Sequence, residues 1–402
     1  MRNACQLTGL LTCVTVLLFA AAPADARQVR RYDFTTVLDS QRDGLEATRC
    51  AAINTLGTVA VQVRDLTLGI NKLITKRGAT DAPVVIADTQ SVPDSPSFCD
   101  NGITLIPSDP SINELGEVAF QGNLRRLGTR PECGTVEQRA RRQGVFLGKG
   151  NPLTTIAHTI NMPGGDFIAE FLVADQSANS FGRVAIVPEL DNGDSGLFVG
   201  SREGTFQTRF LDSQGVFDTP SSRVSLNELG QIAFDDGGIF VSNPNGTFTT
   251  IVENGSGLAG GDPSLNNLGR VAFQGSTFVG DEQVLGIFTG RGGPITTVAD
   301  STGPYASFRE PSLNDLGDVA FTADLDEFGS DGRQIQGVFT GPNPKRDKVL
   351  QAGDRYEGVR ITSIVSCSEA LNNLGQIVMT VQSENPDTFE VRTFIVKATP
   401  RN

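Results

Sequence analysis

The sequence predicts an all-β protein, a closed ring of seven four-stranded antiparallel blades, and three observations carry that prediction. A phrase of the form Asn-x-x-Gly recurs seven times, short apolar runs follow each copy in a constant order, and one strand-like run stands alone ahead of the first copy. Self-similarity at a period of about 40 to 50 residues is the signature of repeat architectures, and four short strands per period describe a β-propeller.

The repeated asparagines are Asn54, Asn113, Asn179, Asn227, Asn266, Asn314 and Asn372. Each is followed three residues later by a glycine: Gly57, Gly116, Gly182, Gly230, Gly269, Gly317 and Gly375. A type I turn favours Asn at its first position, where the side chain accepts from backbone ahead, and Gly at its fourth. With that glycine left-handed, the turn becomes a bulged hairpin connection between antiparallel strands. The next strand is apolar on both faces. In Glu117-Val118-Ala119-Phe120 the valine and phenylalanine share one face and the alanine takes the other. A large residue opposite a small one suits sheets stacked face to face.

A third run recurs as Gly-apolar-Phe, at Gly144, Gly196, Gly238, Gly286 and Gly337, and a fourth as Thr154–Ala157, Thr249–Val252 and Thr296–Ala299. The seventh unit has residues for only three strands before the chain stops. Its missing strand matches Thr35-Thr36-Val37-Leu38, so residues 32–39 are expected to pair with the strand around Phe394 and close the ring. A β-solenoid is the competing architecture, and it needs no such complementarity between chain ends.

The chain has 402 residues, a formal net charge of −13, 45 glycines, one histidine and no tryptophan. That acidic balance argues against general nucleic-acid binding, which needs a basic surface. Residues 1–26 read as a signal peptide: Arg2 is followed by the apolar stretch Leu7–Ala22 and the small-residue site Ala24-Asp25-Ala26. The expected mature protein, from residue 27 to residue 402, is a single propeller domain, secreted to the periplasm or beyond, without a further membrane span, and monomeric. Four cysteines remain in it and imply two disulfides with three possible connectivities. Cys50 and Cys367 precede the asparagines of the first and seventh units, which become neighbours on closure, so Cys50–Cys367 and Cys99–Cys133 is the expected pairing.

The repeat resembles the NxxGxxAF tandem-repeat family of exported bacterial cell-surface proteins, over nearly the whole mature chain. Five units carry Ala followed by Phe or Ile. The first unit departs with Val59-Ala60-Val61 and the seventh with Ile377-Val378-Met379. The resemblance implies export and a repeat count, and no particular reaction.

If the Asn-x-x-Gly turns occupy one side of the disc, the long excursions at 89–109, 122–142, 159–176 and 322–336 all fall on the other, where binding is usually built. One of these carries a basic cluster, Arg125, Arg126, Arg130, Arg139, Arg141 and Arg142, which reads first as a solvated loop paired with the acidic body and otherwise suits a sulfated or carboxylated polysaccharide or a phosphate-bearing surface through forked guanidinium bonds. Another carries Asp324, Asp326 and Asp331, hard oxygen ligands at alternating positions that suggest calcium; turn-forming aspartates explain them as well. No phosphate loop, metalloprotease motif or dinucleotide fingerprint is present. The first functional expectation is a non-catalytic binding or scaffold module for an extracellular polysaccharide or surface protein. The second is a polysaccharide hydrolase or lyase using paired carboxylates.

Overall fold

The computed structural model describes residues 30–88, 100–105, 109–126, 143–150, 152–159, 168–171, 176–190, 192–218, 223–330 and 332–401. They form seven antiparallel blade sheets, each with four successive positions from the centre outward, called a to d here, and two further two-stranded sheets, Ile168–Phe171 with Pro188–Leu190 and Arg355–Tyr356 with Val359–Arg360. Blade 5 shows the plan: strand a is Leu258–Leu265, b is Val271–Val279, c is Glu282–Gly290 and d is Thr296–Asp300. The blades run in chain order, from Leu45–Asp88 for the first to Tyr305–Gln351 for the sixth. In blade 2 position a is shared by two short strands, Asp100–Leu105 and Ser111–Ile112.

Blade 7 is assembled from both chain ends. Ser363–Val365, Ile377–Glu384 and Val391–Pro400 supply a, b and c, and Tyr32–Asp39 supplies d, paired from Tyr32 opposite Pro400 to Asp39 opposite Phe394 with a register shift between Thr36 and Leu38. The ring is therefore closed by the N-terminal strand, as the orphan run predicts. Arg392 donates two hydrogen bonds, of 3.0 and 2.6 Å, to the Asp39 carboxylate and ties the strand in place. Burial alone would push the Asp39 carboxyl up, but Arg392 and the Gln41 N–H outweigh it and hold the group below the usual carboxylate range.

Each inter-blade space is filled by its own apolar cluster. Val271 and Phe273 of blade 5 pack back onto Ala233, Ile239 and Val241 of blade 4, while Ala272 faces Val319 and Phe321 of blade 6. The same division holds for Val118, Phe120 and Ala119 in blade 2. One small residue thus receives one large residue across every such joint. The closing joint uses different volumes. Blade 7 presents Val378 where other blades present alanine, and blade 1 answers with Val59 and Val61 in place of a phenylalanine. The two departures from the repeat compensate each other across the closure.

All four excursions contain strand: 89–109 includes Asp100–Leu105 and 159–176 includes Ile168–Phe171. Strand b of blade 6 continues to Phe328 and returns from Gln334, so part of 322–336 is an extended hairpin. Strand b of blade 2 continues to Arg126, which pairs with Asp100. Backbone pairing satisfies main-chain groups whatever side chains the strand carries.

Two predictions follow from the closure. Because the Asp39 carboxyl is held low in the fold, its stabilisation is present above its unfolded value and is lost as pH falls through the folded one. Asp39→Asn is expected to melt below the wild type at neutral pH and to lose less stability on acidification; parallel curves would rule out the clasp. Val378→Ala is expected to cost about 1–2 kcal/mol in urea unfolding through a cavity, and Val61→Phe a similar amount through overpacking. The double variant should recover at least half of the summed loss; additive costs would refute the compensation.

Candidate functional site

Two mouths open on the ring axis, and a closed relay of asparagines separates them from the blades. At each repeated turn the glycine N–H donates to the asparagine carbonyl at 2.9–3.1 Å, and all seven glycines have φ between 70 and 83°. The side chain also works locally: Asn266 Oδ1 accepts from the N–H groups of Leu268 and Arg270. The amide nitrogen reaches forward instead. Asn54 Nδ2 donates to the Asn113 carbonyl, and Asn113, Asn179, Asn227, Asn266 and Asn314 each donate to the next repeat's asparagine carbonyl in turn. Asn372 returns to the Asn54 carbonyl at 2.9 Å and completes the circle.

A second ring lies one step deeper. The residue two before the asparagine is serine in five blades: Ser111, Ser177, Ser225, Ser264 and Ser312. Each hydroxyl accepts a backbone N–H of the following blade at 2.9–3.1 Å. Blade 1 has Ala52 there and blade 7 has Ala370. The carboxylate of Glu369 stands in for the first. It accepts the Ile112 N–H that Ala52 leaves unserved, and the hydroxyls of Ser111 and Ser177 as well. The carbonyl of Glu369 serves the other joint by accepting from Ile53 N–H at 3.0 Å. Sequence reasoning did not single out Glu369; the missing serines of blades 1 and 7 were its signal.

Above the relay, on the short-turn side, the channel widens to a cavity of about 370 Å³ lined by these serines and asparagines. Glu114, Glu228 and Asp315 stand at its mouth. Each accepts the backbone N–H of the preceding turn, from Thr55, Ser180 and Asn267 respectively.

At the long-loop mouth a pocket of about 20 Å³ lies between the disulfide, Asp109 and Glu369. It is charged. Arg223 donates to Asp109 at 2.7 Å and to Glu310 at 2.8 Å, joining blades 2, 4 and 6 across the axis. Asp262 of blade 5 sits nearby with φ of 49° and accepts from Gln274 Nε2. Burial, and then the neighbouring charge of Glu310, push the Asp262 carboxyl above the usual carboxylate range against the pull of Arg223. Asp109, Arg223, Asp262 and Glu310 all fall four residues before their asparagines, as does Cys50. Aligning that column across repeats would have found the group.

Cys50 and Cys367 form the predicted disulfide at this mouth, with Cα atoms 5.9 Å apart. The ligand atoms of Cys50, Cys367, Asp109 and Glu310 all lie within 4.8 Å of one another. As a disulfide the two sulfurs offer no thiolate, and Arg223 already supplies a cation to both carboxylates, so the set does not fit a resident metal. The other predicted bridge, Cys99–Cys133, lies outside the described residues, as do Arg130, Arg139, Arg141, Arg142 and Asp331. Arg125 and Arg126 end a strand and are placed by their backbone alone. Asp324 and Asp326 belong to strand b of blade 6, where Asp324 accepts from Ser307 at 2.7 Å. Among the described residues they join no cluster of three metal-ligating side chains. His158 ends strand d of blade 2, on the outermost strand of that blade.

Comparison with known proteins adds little chemistry. A family of unknown function, DUF7453, matches residues 256–393. No curated protein matches the chain. Among solved structures, an oligogalacturonate lyase from Vibrio parahaemolyticus is similar at a TM-score of 0.49 and 10% identity, over 93% of this chain and 98% of that one. An inactive variant of virginiamycin B lyase from Staphylococcus aureus is similar at a TM-score of 0.44 and 11% identity, over 92% and 99%. A xyloglucanase from Xanthomonas campestris is similar at 0.46 and 8%, over 90% of this chain and 55% of that one.

The relay can be tested at one link. Asn266→Asp keeps the acceptor of the turn but removes the donor to Asn314 and sets a carboxylate against that carbonyl. A loss of about 2–4 kcal/mol in urea unfolding is expected for an unpaired buried charge and an orphaned acceptor. A change below about 0.5 kcal/mol, the range of an ordinary surface substitution, would show the relay to be idle.

Proposed function

We propose that the protein is an exported binding or scaffold module rather than an enzyme, with the ring as a rigid support and its long-loop face as the ligand platform. The observation that carries this reading is the use made of the axial acids. Glu114, Glu228, Asp315 and Glu369 accept hydrogen bonds from the ring's own N–H and hydroxyl groups, and Asp109 and Glu310 share the guanidinium of Arg223. Carboxylates so engaged hold blades together. A glycosidase or lyase needs an acid and a base aimed at a substrate. Export is supported by the Cys50–Cys367 bridge, since disulfides persist in oxidising compartments. Among the described residues no helix is long and apolar enough to cross a membrane. Membership of the NxxGxxAF repeat family is part of the same proposal and rests on the repeat itself.

The enzymatic reading keeps one supporting observation. Asp262, whose carboxyl is pushed above the usual carboxylate range by burial and the neighbouring Glu310, lies at the long-loop mouth. The deciding experiment incubates the protein with neutral, carboxylated and sulfated polysaccharides, with and without calcium, and follows both binding and product. Binding without new reducing ends or unsaturated ends is expected. Arg125→Ala/Arg126→Ala should weaken binding to acidic polysaccharides about tenfold, or ~1.4 kcal/mol. Product formation by the wild type that disappears in Asp262→Asn would replace this reading with the enzymatic one.

A further inference from the structure

The residue two past each asparagine has no part in the relay, yet it is large and apolar in every repeat. Leu56, Leu115, Phe181, Leu229, Leu268, Leu316 and Leu374 are between 53 and 73% exposed. A turn tip imposes no need for leucine; polar residues and glycine dominate such positions. Seven copies at one register form an apolar crown around the short-turn mouth. Leu229 and Leu268 line one cleft together, and exposed apolar side chains gathered on one face mark a surface that is covered by something.

The charges around the crown say what covers it. Arg77 and Lys149 donate to the carbonyls of Leu56 and Leu115 themselves, at 2.7 and 2.8 Å. The guanidinium of Arg202 lies against the turn at Gly182 and that of Arg291 near the turn at Gly269. Between Leu229 and Leu268 a cleft of about 390 Å³ has Arg291 on its wall. In a chain with 33 basic and 46 acidic residues, this pairing of apolar tips with cations is not a general property of the surface. Exposed apolar residues on the opposite face have the reverse company: Phe278 and Val279 precede Asp281 and Glu282, Phe328 follows Asp326 and Glu327, and Phe389 lies between Asp387 and Glu390. Of the acids described on this side, Glu114, Glu228 and Asp315 accept backbone N–H groups, while Glu117 pairs with Arg202 and Asp318 with Arg30.

A second copy stacked on this crown would set cation against cation at the same radius and carboxylate against carboxylate on the axis. A flat anionic surface with an apolar interior satisfies both the tips and the belt.

We propose that the short-turn face is a peripheral membrane-docking surface, in which the seven turn tips enter the interface of an anionic lipid bilayer and the surrounding Lys and Arg meet its headgroups. This is the arrangement of an interfacial element, an apolar face ringed by basic residues, here built from turns instead of a helix. It leaves the long-loop face pointing outward.

The test uses protein starting at residue 27, since residues 30–401 close the ring. Binding is measured by co-sedimentation with vesicles of phosphatidylglycerol and phosphatidylethanolamine, and with vesicles of phosphatidylcholine alone. Binding to the anionic vesicles is expected, weakened at least tenfold by neutral lipid or by high salt. Leu268→Ser/Leu316→Ser/Leu374→Ser should weaken it at least tenfold with an unchanged melting temperature, because these side chains are exposed. Lys149→Glu/Arg291→Glu should weaken binding to anionic vesicles while sparing whatever binding neutral vesicles show. Wild-type protein that stays in the supernatant, or a triple serine variant that sediments like the wild type, overturns the proposal. So does a concentration-dependent dimer, abolished by the same serine substitutions, in protein that ignores vesicles.

Discussion

The hydrogen bond from each asparagine amide to the next asparagine's carbonyl is the constraint on which the ring depends. A propeller blade buries apolar surface against both neighbours, but such packing is non-directional and tolerates sliding. The relay supplies direction. Asn266 Nδ2 meets the Asn314 carbonyl at only one relative height and rotation of the two blades, and the bond is buried where water cannot substitute for it. The serine ring below repeats the constraint at a second height, so each pair of inner strands is held at two points. Circular closure makes the links interdependent, because displacing one blade strains the two links it shares and, through them, the rest.

Where the repeat departs from its pattern, the departures fall at the closing joint. Blades 1 and 7 have alanine instead of serine, Val61 instead of phenylalanine and Val378 instead of alanine. The structure shows each change answered locally. Glu369 supplies the missing acceptors, Val61 and Val378 exchange volume, and Cys50–Cys367 covalently joins the inner strands of the two blades. Outside, the Asp39–Arg392 clasp fixes the strand that comes from the other end of the chain. The closure is thus held by a covalent bond between blades 1 and 7 at the axis and by a charged pair inside blade 7 at the rim. A ring that must close across 317 residues of intervening chain carries a large entropic cost in the unfolded state, and a cross-link at that point reduces it most.

The same geometry separates two surfaces of opposite character. The short-turn side has the open cavity, the apolar crown and the cations; the long-loop side has a mouth with Asp109, Asp262 and Glu310 gathered about Arg223. Sequence reasoning placed the functional face by loop length, and the described cavity opens on the other side. Long loops and large cavities need not coincide, because the channel's width is set by the side chains of strand a. There the disulfide and the charged column occupy one end, and small serines leave the other open.

Seven repeats, four strands in each, antiparallel order, closure by residues 32–39 and the Cys50–Cys367 pairing were all legible in the sequence, because each rests on local alternation, turn chemistry or adjacency in a ring. The asparagine was legible only in half its role. Its acceptor serves a turn within four residues, but its donor serves a carbonyl 39 to 66 residues away in six links and 318 residues away in the closing one, and no local pattern announces a partner at that distance. A hint was present: aspartate would serve the turn equally well, and none of the seven positions carries it. The tertiary structure alone decided that Glu369 replaces two serines, that Arg223 spans three blades, and that six turn leucines and one phenylalanine are exposed on one side of the ring. Each is a convergence on the ring axis, and residues far apart in the chain meet there only after closure has set their angles.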